Sequence, residues 1–154
     1  MTPEWACDTG PLISFERIPE GFDLLRRLAG RIIIPLQVEA ELGYAARDRI
    51  GDFVEVVHAP DPPSEAAGLH DGERFAIALA VSRGVPLLIE ERDGRAVAER
   101  LGLRPIGAVG LILDGWERRI VTGIQAADCF RALLAGRRIS QRLLDALLER
   151  VVVH

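Results

Sequence analysis

Short apolar runs alternate along the chain with segments whose apolar residues recur at helical spacing. The short runs predict buried strands of a parallel sheet, and the helices between them are expected to cover both faces of that sheet. The predicted fold class is therefore α/β, a three-layer α/β/α arrangement with a central parallel sheet. Strands are predicted over residues 5–7, 31–34, 53–57, 87–89 and 104–106. Helices are predicted over residues 11–18, 22–28, 35–46, 72–83, 95–101, 109–116, 126–134 and 140–152.

The length and composition predict one globular domain over residues 1–154, with a helical C-terminal part from about residue 107. Hydrophobic residues make up 49% of the chain and charged residues 27%, which excludes a disordered protein. No apolar run approaches the roughly 20 residues that span a bilayer, and no signal-peptide pattern opens the chain, so we expect a cytoplasmic protein. Cys7 and Cys129 lie in apolar surroundings and are expected to be small buried residues.

All 19 basic residues are arginines, and the absence of lysine excludes two kinds of site. A P-loop nucleotide site needs a lysine on the phosphates, and Schiff-base chemistry needs an amine. A phosphoryl-accepting receiver domain has a similar layout of acids at strand ends, but it also relies on a lysine and is disfavoured. The net charge of −4 argues against nonspecific adhesion to nucleic acid, yet it leaves room for a local groove lined with arginines.

Acidic residues stand where the predicted strands end, and they are the strongest candidates for chemistry. Asp8 and Glu90 both follow apolar strand runs, so a parallel sheet brings them to one edge, where ligands bind in open α/β folds. Glu41 borders the apolar stripe of its helix, and Glu73 lies in a first helical turn on the buried face. Clustered acids repel one another unless a cation joins them, and oxygen-only ligands suit Mg²⁺ or Mn²⁺. Such a metal can activate water and stabilise the developing charge of a phosphodiester.

Each acid also has a purely structural interpretation. The helix dipole alone favours Glu73 in a first turn, where a buried acid needs a cation partner. Glu39 and Glu41 could be ordinary solvated residues, and for Glu39 we expect this. We expect Asp93 to cap the helix that follows it, and Glu90 with its neighbour could form a turn. His70 falls in a predicted loop and is expected to be solvated. No cysteine or histidine spacing suits zinc, and no serine lies in a nucleophile elbow.

Several pieces of the chain, taken in order, match one known family. They are Asp8–Ile13; Ile34-Pro35 with Val38 and Glu41-Leu42; Gly72-Glu73 with Ala76–Ala80; Leu87–Arg95 with Ala98 and Gly102-Leu103; and Gly107, Gly110-Leu111 and Arg138–Ser140 with Leu143 and Leu144. By this set the chain resembles PIN-domain proteins over nearly its whole length. It looks like the compact kind related to the toxin ribonucleases of prokaryotic toxin–antitoxin systems. No single piece is specific; the ordered set carries the resemblance, which implies the PIN fold.

The resemblance also implies a metal-dependent ribonuclease that cleaves RNA with Mg²⁺ or Mn²⁺. In the family the catalytic and metal-binding acids stand at the positions of Asp8, Glu41, Glu73, Glu90 and Glu91. The chain departs from the pattern at Glu90, where the subgroup usually has an aspartate. Glutamate is one methylene longer, so the metal geometry could be altered.

Three polar residues beside these acids are candidates for contacts with substrate or ligands. Thr9 matches a hydroxyl next to the first acid and could orient that acid by hydrogen bonding, or it could be only a helix-start signal. Arg92 and Arg95 could hold substrate phosphates, because arginine donates two hydrogen bonds to phosphate, or they could pair with the nearby acids.

Two other functions stay open, a degenerate module that binds RNA or protein without cleavage and a metal-dependent phosphatase. The partners that the resemblance implies are an RNA substrate, an antitoxin protein whose peptide would occupy the acidic groove, and a second copy of the chain in a homodimer. No membrane is expected. The apolar stripes near Leu24, Leu25 and Leu28 or Ile112 and Trp116 could supply the dimer surface or belong to the core.

Overall fold

The computed structural model describes residues 3–43 and 48–152, and the strands in these ranges form a five-stranded sheet. They are β1 (Glu4–Cys7), β2 (Arg31–Pro35), β3 (Val54–Val57), β4 (Leu87–Leu88) and β5 (Pro105–Ile106). Their order is β3-β2-β1-β4-β5, and every neighbouring pair is parallel. The first strand is therefore central. The direction in which strands are added reverses between β1 and β4, and open α/β sheets bind ligands at such a point.

Helices cover both faces of the sheet. They are α1 (Thr9–Glu16), α2 (Gly21–Ala29), α3 (Leu36–Leu42), α4 (Asp71–Arg83), α5 (Arg92–Arg100), α6 (Ala108–Glu117), α7 (Gly123–Ala135) and α8 (Gln141–Val152). Successive residues of β1 face opposite cores, as the pleat of a strand requires. Trp5 and Cys7 pack with α1, α2, α3, α6, α7 and α8, whereas Ala6 packs with α4 and α5. The predicted three-layer α/β/α fold is confirmed.

The start of α1 differs from the prediction. The helix begins at Thr9, and Asp8 is the extended residue before it, with ψ 174°. Pro11 was expected at the first helical position but occupies the third. A proline is tolerated there because the first four N–H groups of a helix have no partner within the helix. The carboxylate of Asp8 therefore lies at a helix N-terminus as well as at a strand end.

The start of α5 also differs, and the expectation that Asp93 caps this helix was wrong. The helix begins at Arg92, and Glu91 is the extended residue before it, with φ −61° and ψ 130°. Asp93 lies inside the first turn, where the helix dipole favours an acid. The predicted end of the helix after β2, residues 44–46, lies outside the described residues.

A sharp reversal joins α7 to α8. The backbone N–H of Arg138 donates to the carbonyl of Leu133 over 2.8 Å, and the N–H of Arg137 donates to that of Leu134 over 2.9 Å. These two bonds make a Schellman motif, which needs a left-handed residue, and Arg137 has φ 60°. The motif turns the chain so that Arg138 points back towards α1.

Replacing Arg137 by glycine should raise the free energy of unfolding by about 1 kcal/mol, because only glycine adopts the left-handed conformation without steric cost. Urea unfolding of the wild type and the variant would measure this. The matched control is Arg142→Gly, on the exposed side of α8, where glycine should instead lower stability by about 1 kcal/mol. Equal losses in both variants would contradict the assignment.

The apolar stripes that could have formed a dimer surface belong mainly to the core. Trp116 is partly buried against the core, and the stripe residues that are fully buried are Leu24, Leu25, Leu28 and Ile112. The homodimer stays a prediction, without support from these stripes. Cys7 and Cys129 are buried free cysteines, as predicted. No helix within the described ranges has the length and apolar character that a bilayer crossing requires.

Candidate active site

Two acids meet where the strand order reverses. Cys7 at the end of β1 pairs with Leu88 at the end of β4, and the N–H of Asp8 donates to the carbonyl of Leu88 over 2.9 Å. Asp8 and Glu90 therefore leave adjacent strands at the same edge of the sheet, as the sequence predicted. The negative charge of Glu90 lies close enough to Asp8 to contribute to a raised pKa of Asp8.

Asp8 is the most confined of these acids. Asp8 is 5% exposed, and its Oδ1 has no hydrogen-bond partner among the described residues. Burial raises the pKa of Asp8 to about 6, and repulsion from Glu41 and Glu90 adds to this effect. A hydrogen bond from the backbone of Thr9 and the proximity of His70 offset part of the rise. A cation at this point would restore the charged form.

Glu41, in the last turn of α3, lies next to Asp8. Its Oε2 accepts a hydrogen bond from Thr9 Oγ1 over 2.7 Å. The hydroxyl of Thr9 was expected to orient Asp8, but it orients Glu41 instead. The two carboxylates share the space over Gly72: a methyl group on that residue would overlap Oε1 of Glu41 and lie 3.1 Å from Oδ1 of Asp8. Glycine at this position therefore admits both acids to the same place.

Glu73 is buried in the first turn of α4, with only 2% of its surface exposed. Burial raises its pKa, and the charges of Asp8 and Glu91 add to the rise, while His70 opposes it. Its Oε1 lies 2.8 Å from Nε2 of His70, but Oε2 has no hydrogen-bond partner within the described ranges. Gly94 leaves room for that oxygen, since a methyl group there would lie 2.6 Å from it.

His70 is a site residue that the sequence analysis assigned to solvent. Its side chain is 63% exposed, yet its ring reaches two acids, with Nδ1 3.9 Å from Oε1 of Glu41 and Nε2 against Glu73. A buried Glu73 was expected to need a cation partner. A protonated His70 supplies that cation. One signal could have indicated it: His70 stands three residues before Glu73 at a helix start, and side chains at that spacing meet.

Glu90 lies in a network of its own. Ser14 Oγ contacts both carboxylate oxygens, Oε1 at 2.9 Å and Oε2 at 3.0 Å. The N–H of Ala108 donates to Oε2 over 3.2 Å, and Nη2 of Arg138 donates to Oε1 over 2.9 Å. Arg138 also donates through Nε to Ser14 Oγ over 3.0 Å and through Nη2 to the carbonyl of Gly10 over 3.2 Å. Neither Ser14 nor Arg138 was predicted to belong to the site.

The remaining predicted residues lie at the rim. Glu91 is exposed before α5, close enough to Glu73 to raise the pKa of that acid. Arg92 and Arg95 are exposed in the first turns of α5, and neither makes an ion pair with any acid in the described part of the chain. Of the two roles open to these arginines, pairing with acids is therefore not observed. Glu39 is half-buried with Oε2 inaccessible, so the expectation that it is solvated was wrong.

The acids fit a divalent cation in their chemistry. The donor atoms are carboxylate oxygens, and Asp8 Oδ1 and Glu73 Oε2 are buried without a hydrogen bond to any described residue. Such oxygens are costly unless a cation joins them. No three His, Cys, Asp or Glu side chains in residues 3–43 and 48–152 are already grouped to hold an ion. Of Asp8, Glu41 and Glu73, Glu41 is the most exposed, with 36% of its side chain accessible.

The chain was compared with known proteins by family and by individual match. A family model described as a PIN domain matches residues 4–152, a range that contains every candidate site residue named above. No curated protein and no solved structure matches the chain.

Proposed function

This chain belongs to the PIN-domain family, whose members are generally nucleases, and we propose that it is a metal-dependent ribonuclease that hydrolyses RNA phosphodiester bonds. One observation carries the proposal: two buried carboxylate oxygens, Asp8 Oδ1 and Glu73 Oε2, lack hydrogen-bond partners in the described residues at the point where the strand order reverses. Leaving two buried carboxylate oxygens of one site unpaired costs stability, and a cation bound between them would offset that cost.

Asp8, Glu41 and Glu73 would hold Mg²⁺ or Mn²⁺. When bound, the ion supplies charge neutralisation at the phosphodiester and makes water a better nucleophile. The residues around the acids prepare them for this. Thr9 fixes Oε2 of Glu41 and His70 contacts Oε1 of Glu73, so that each carboxylate keeps one oxygen for the ion.

The substrate would be single-stranded or looped RNA, whose phosphodiesters can reach an acidic groove. Arg92 and Arg95, exposed and without an acidic partner in the described ranges, would bind the phosphates on either side of the scissile bond. Glu91 at the same rim would orient the attacking water. If the protein is the toxin of a toxin–antitoxin pair, an antitoxin peptide would cover this groove, and a homodimer would place two grooves in one particle.

The test is cleavage of a mixed pool of single-stranded RNA by the full chain. We expect cleavage with Mn²⁺ or Mg²⁺, none with a chelator, and none with Asp8→Asn purified in the same way, which controls for contaminating ribonuclease. A phosphomonoester assay on the same samples should be negative. The phosphatase alternative predicts hydrolysis of these small esters, so this assay separates the two functions. Cleavage that survives both the chelator and the substitution would sink the proposal.

A second candidate, a module that binds RNA without cleaving it, is favoured by one observation. Glu90, one of the family's metal-binding positions, is already held by Arg138. Binding of Mn²⁺ and of RNA by a folded wild type that cleaves no RNA in the pool would establish this candidate instead.

A further inference from the structure

We infer that Glu90 is not a metal ligand in this chain, and that its fixed ion pair with Arg138 takes the place of a second cation. The site then holds a single divalent ion on Asp8, Glu41 and Glu73. This inference rests on the proposed function, because it specifies the composition of that same metal site.

The carboxylate oxygens of Glu90 differ from those of Asp8 and Glu73 in having hydrogen-bond donors. Both oxygens of Glu90 accept hydrogen bonds, Oε1 from Arg138 and Oε2 from the N–H of Ala108, and Ser14 Oγ contacts both. A metal on Glu90 would have to displace at least one of these donors. Asp8 and Glu73, in contrast, each keep a buried oxygen without a partner in the described residues, and an ion on those oxygens displaces nothing.

The guanidinium of Arg138 places a positive charge 2.9 Å from Oε1 of Glu90. It neutralises that carboxylate and would repel a divalent ion bound to it. Positive charge that a second ion would bring to Glu90 is thus already present on Arg138.

Arg138 is held in place by several hydrogen bonds, and 29% of its side chain is exposed. Its Nε donates to Ser14 and its Nη2 donates to the carbonyl of Gly10 as well as to Glu90. The Schellman motif after α7 fixes its backbone. Three hydrogen bonds and a defined turn make this pair unlike an exposed salt bridge, whose long side chains are free to part.

The experiment is calorimetric titration of the metal-free full chain with Mn²⁺. We expect one Mn²⁺ per wild-type chain. Glu90→Gln should keep one ion, with a dissociation constant within about threefold of the wild type, because it removes a charge outside the coordination sphere. Asp8→Asn should weaken binding by more than about 100-fold, since even residues that only support ligands cost 10- to 100-fold.

A gain is expected in the opposite variant. Arg138→Met removes the positive charge beside Glu90 while keeping an unbranched side chain. A second Mn²⁺ should then bind to the unpaired carboxylate. The variant should hold two ions per chain and give a spin-coupled signal in electron paramagnetic resonance. A misfolded variant cannot produce that gain. Two ions bound by the wild type, or loss of an ion in Glu90→Gln while the variant unfolds cooperatively, would overturn the inference.

The failure of the proposed function looks different in the same titration. If the wild type binds no Mn²⁺, or if Asp8→Asn binds as tightly as the wild type, then the metal site itself is wrong and the inference falls with it. If only Glu90→Gln loses the ion, the metal-dependent nuclease stands and the role of Arg138 is wrong.

Discussion

Replacing Asp8 by asparagine should stabilise the metal-free protein at neutral pH while it abolishes RNA cleavage. The folded protein raises the pKa of Asp8 from 3.8 to about 6, mainly through burial. Near pH 3 the carboxyl is protonated in both the folded and the unfolded state, so its titration does not affect the free energy of unfolding. As pH rises from about 4 to about 6, the unfolded chain loses this proton first, so stability falls. Above pH 6 the full penalty applies, and it amounts to about 3 kcal/mol.

Urea unfolding in the presence of a chelator would measure this penalty. The stability difference between Asp8→Asn and the wild type should be small near pH 4 and grow to about 2–3 kcal/mol in favour of the variant above about pH 6. Asp93→Asn is the matched control, because Asp93 is an exposed acid and its substitution removes no buried charge. A variant that is less stable than the wild type at every pH would contradict the prediction.

The same substitution should lower the rate of RNA cleavage by at least about 1,000-fold, because it removes several kcal/mol of charge stabilisation that depends on the bound ion. Excess Mn²⁺ should raise the stability of the wild type and leave Asp8→Asn unchanged, since a ligand stabilises only the state that binds it. Opposite effects on stability and activity distinguish a functional acid from a structural one, whose removal lowers both.

The positions of the acids could be predicted from the sequence because they depend on local patterns. Asp8 and Glu90 follow strand runs, and parallel strands bring their carboxyl ends to one edge regardless of the order of strands. Glu73 was assigned to the buried face because helical spacing aligns it with apolar residues, and it is 2% exposed. Glu41 was separated from Glu39 by the same reasoning, but in the structure Glu41 is exposed and Glu39 is partly buried.

The partners of these acids could not be predicted, because they come from distant parts of the chain. Thr9 is 32 residues from the Glu41 that it orients, and Arg138 is 48 residues from Glu90. Nothing in the sequence around Arg138 indicates which acid it reaches, since that depends on how the turn between α7 and α8 lies against α1. The contacts of Ser14 with Glu90 and Arg138 could not be predicted for the same reason. Hydrogen-bond partners depend on tertiary packing, whereas strand ends depend on local pattern.

Replacing Gly72 by alanine should impair metal binding and RNA cleavage without lowering stability. The added methyl group would overlap Oε1 of Glu41 and crowd Oδ1 of Asp8. The overlapping atom is the end of a flexible side chain, so Glu41 can swing away at little cost to the fold, and alanine in a helix gains up to about 1 kcal/mol over glycine. Glu41 would then be displaced from the ion, and we expect the Mn²⁺ affinity and the cleavage rate to fall by at least about 10-fold.

Titration with Mn²⁺, RNA cleavage and urea unfolding of Gly72→Ala would be compared with those of Gly68→Ala. Among the residues that the structure describes, none has an atom within 4 Å of a methyl group added at Gly68, so that variant should match the wild type in all three measurements. Full Mn²⁺ affinity in a stable Gly72→Ala would show that Glu41 is not a ligand and that Thr9 orients it for another purpose. Loss of affinity with stability retained would instead tie metal binding to the space that this glycine leaves between Glu41 and Asp8, because no other change in the variant reaches the site.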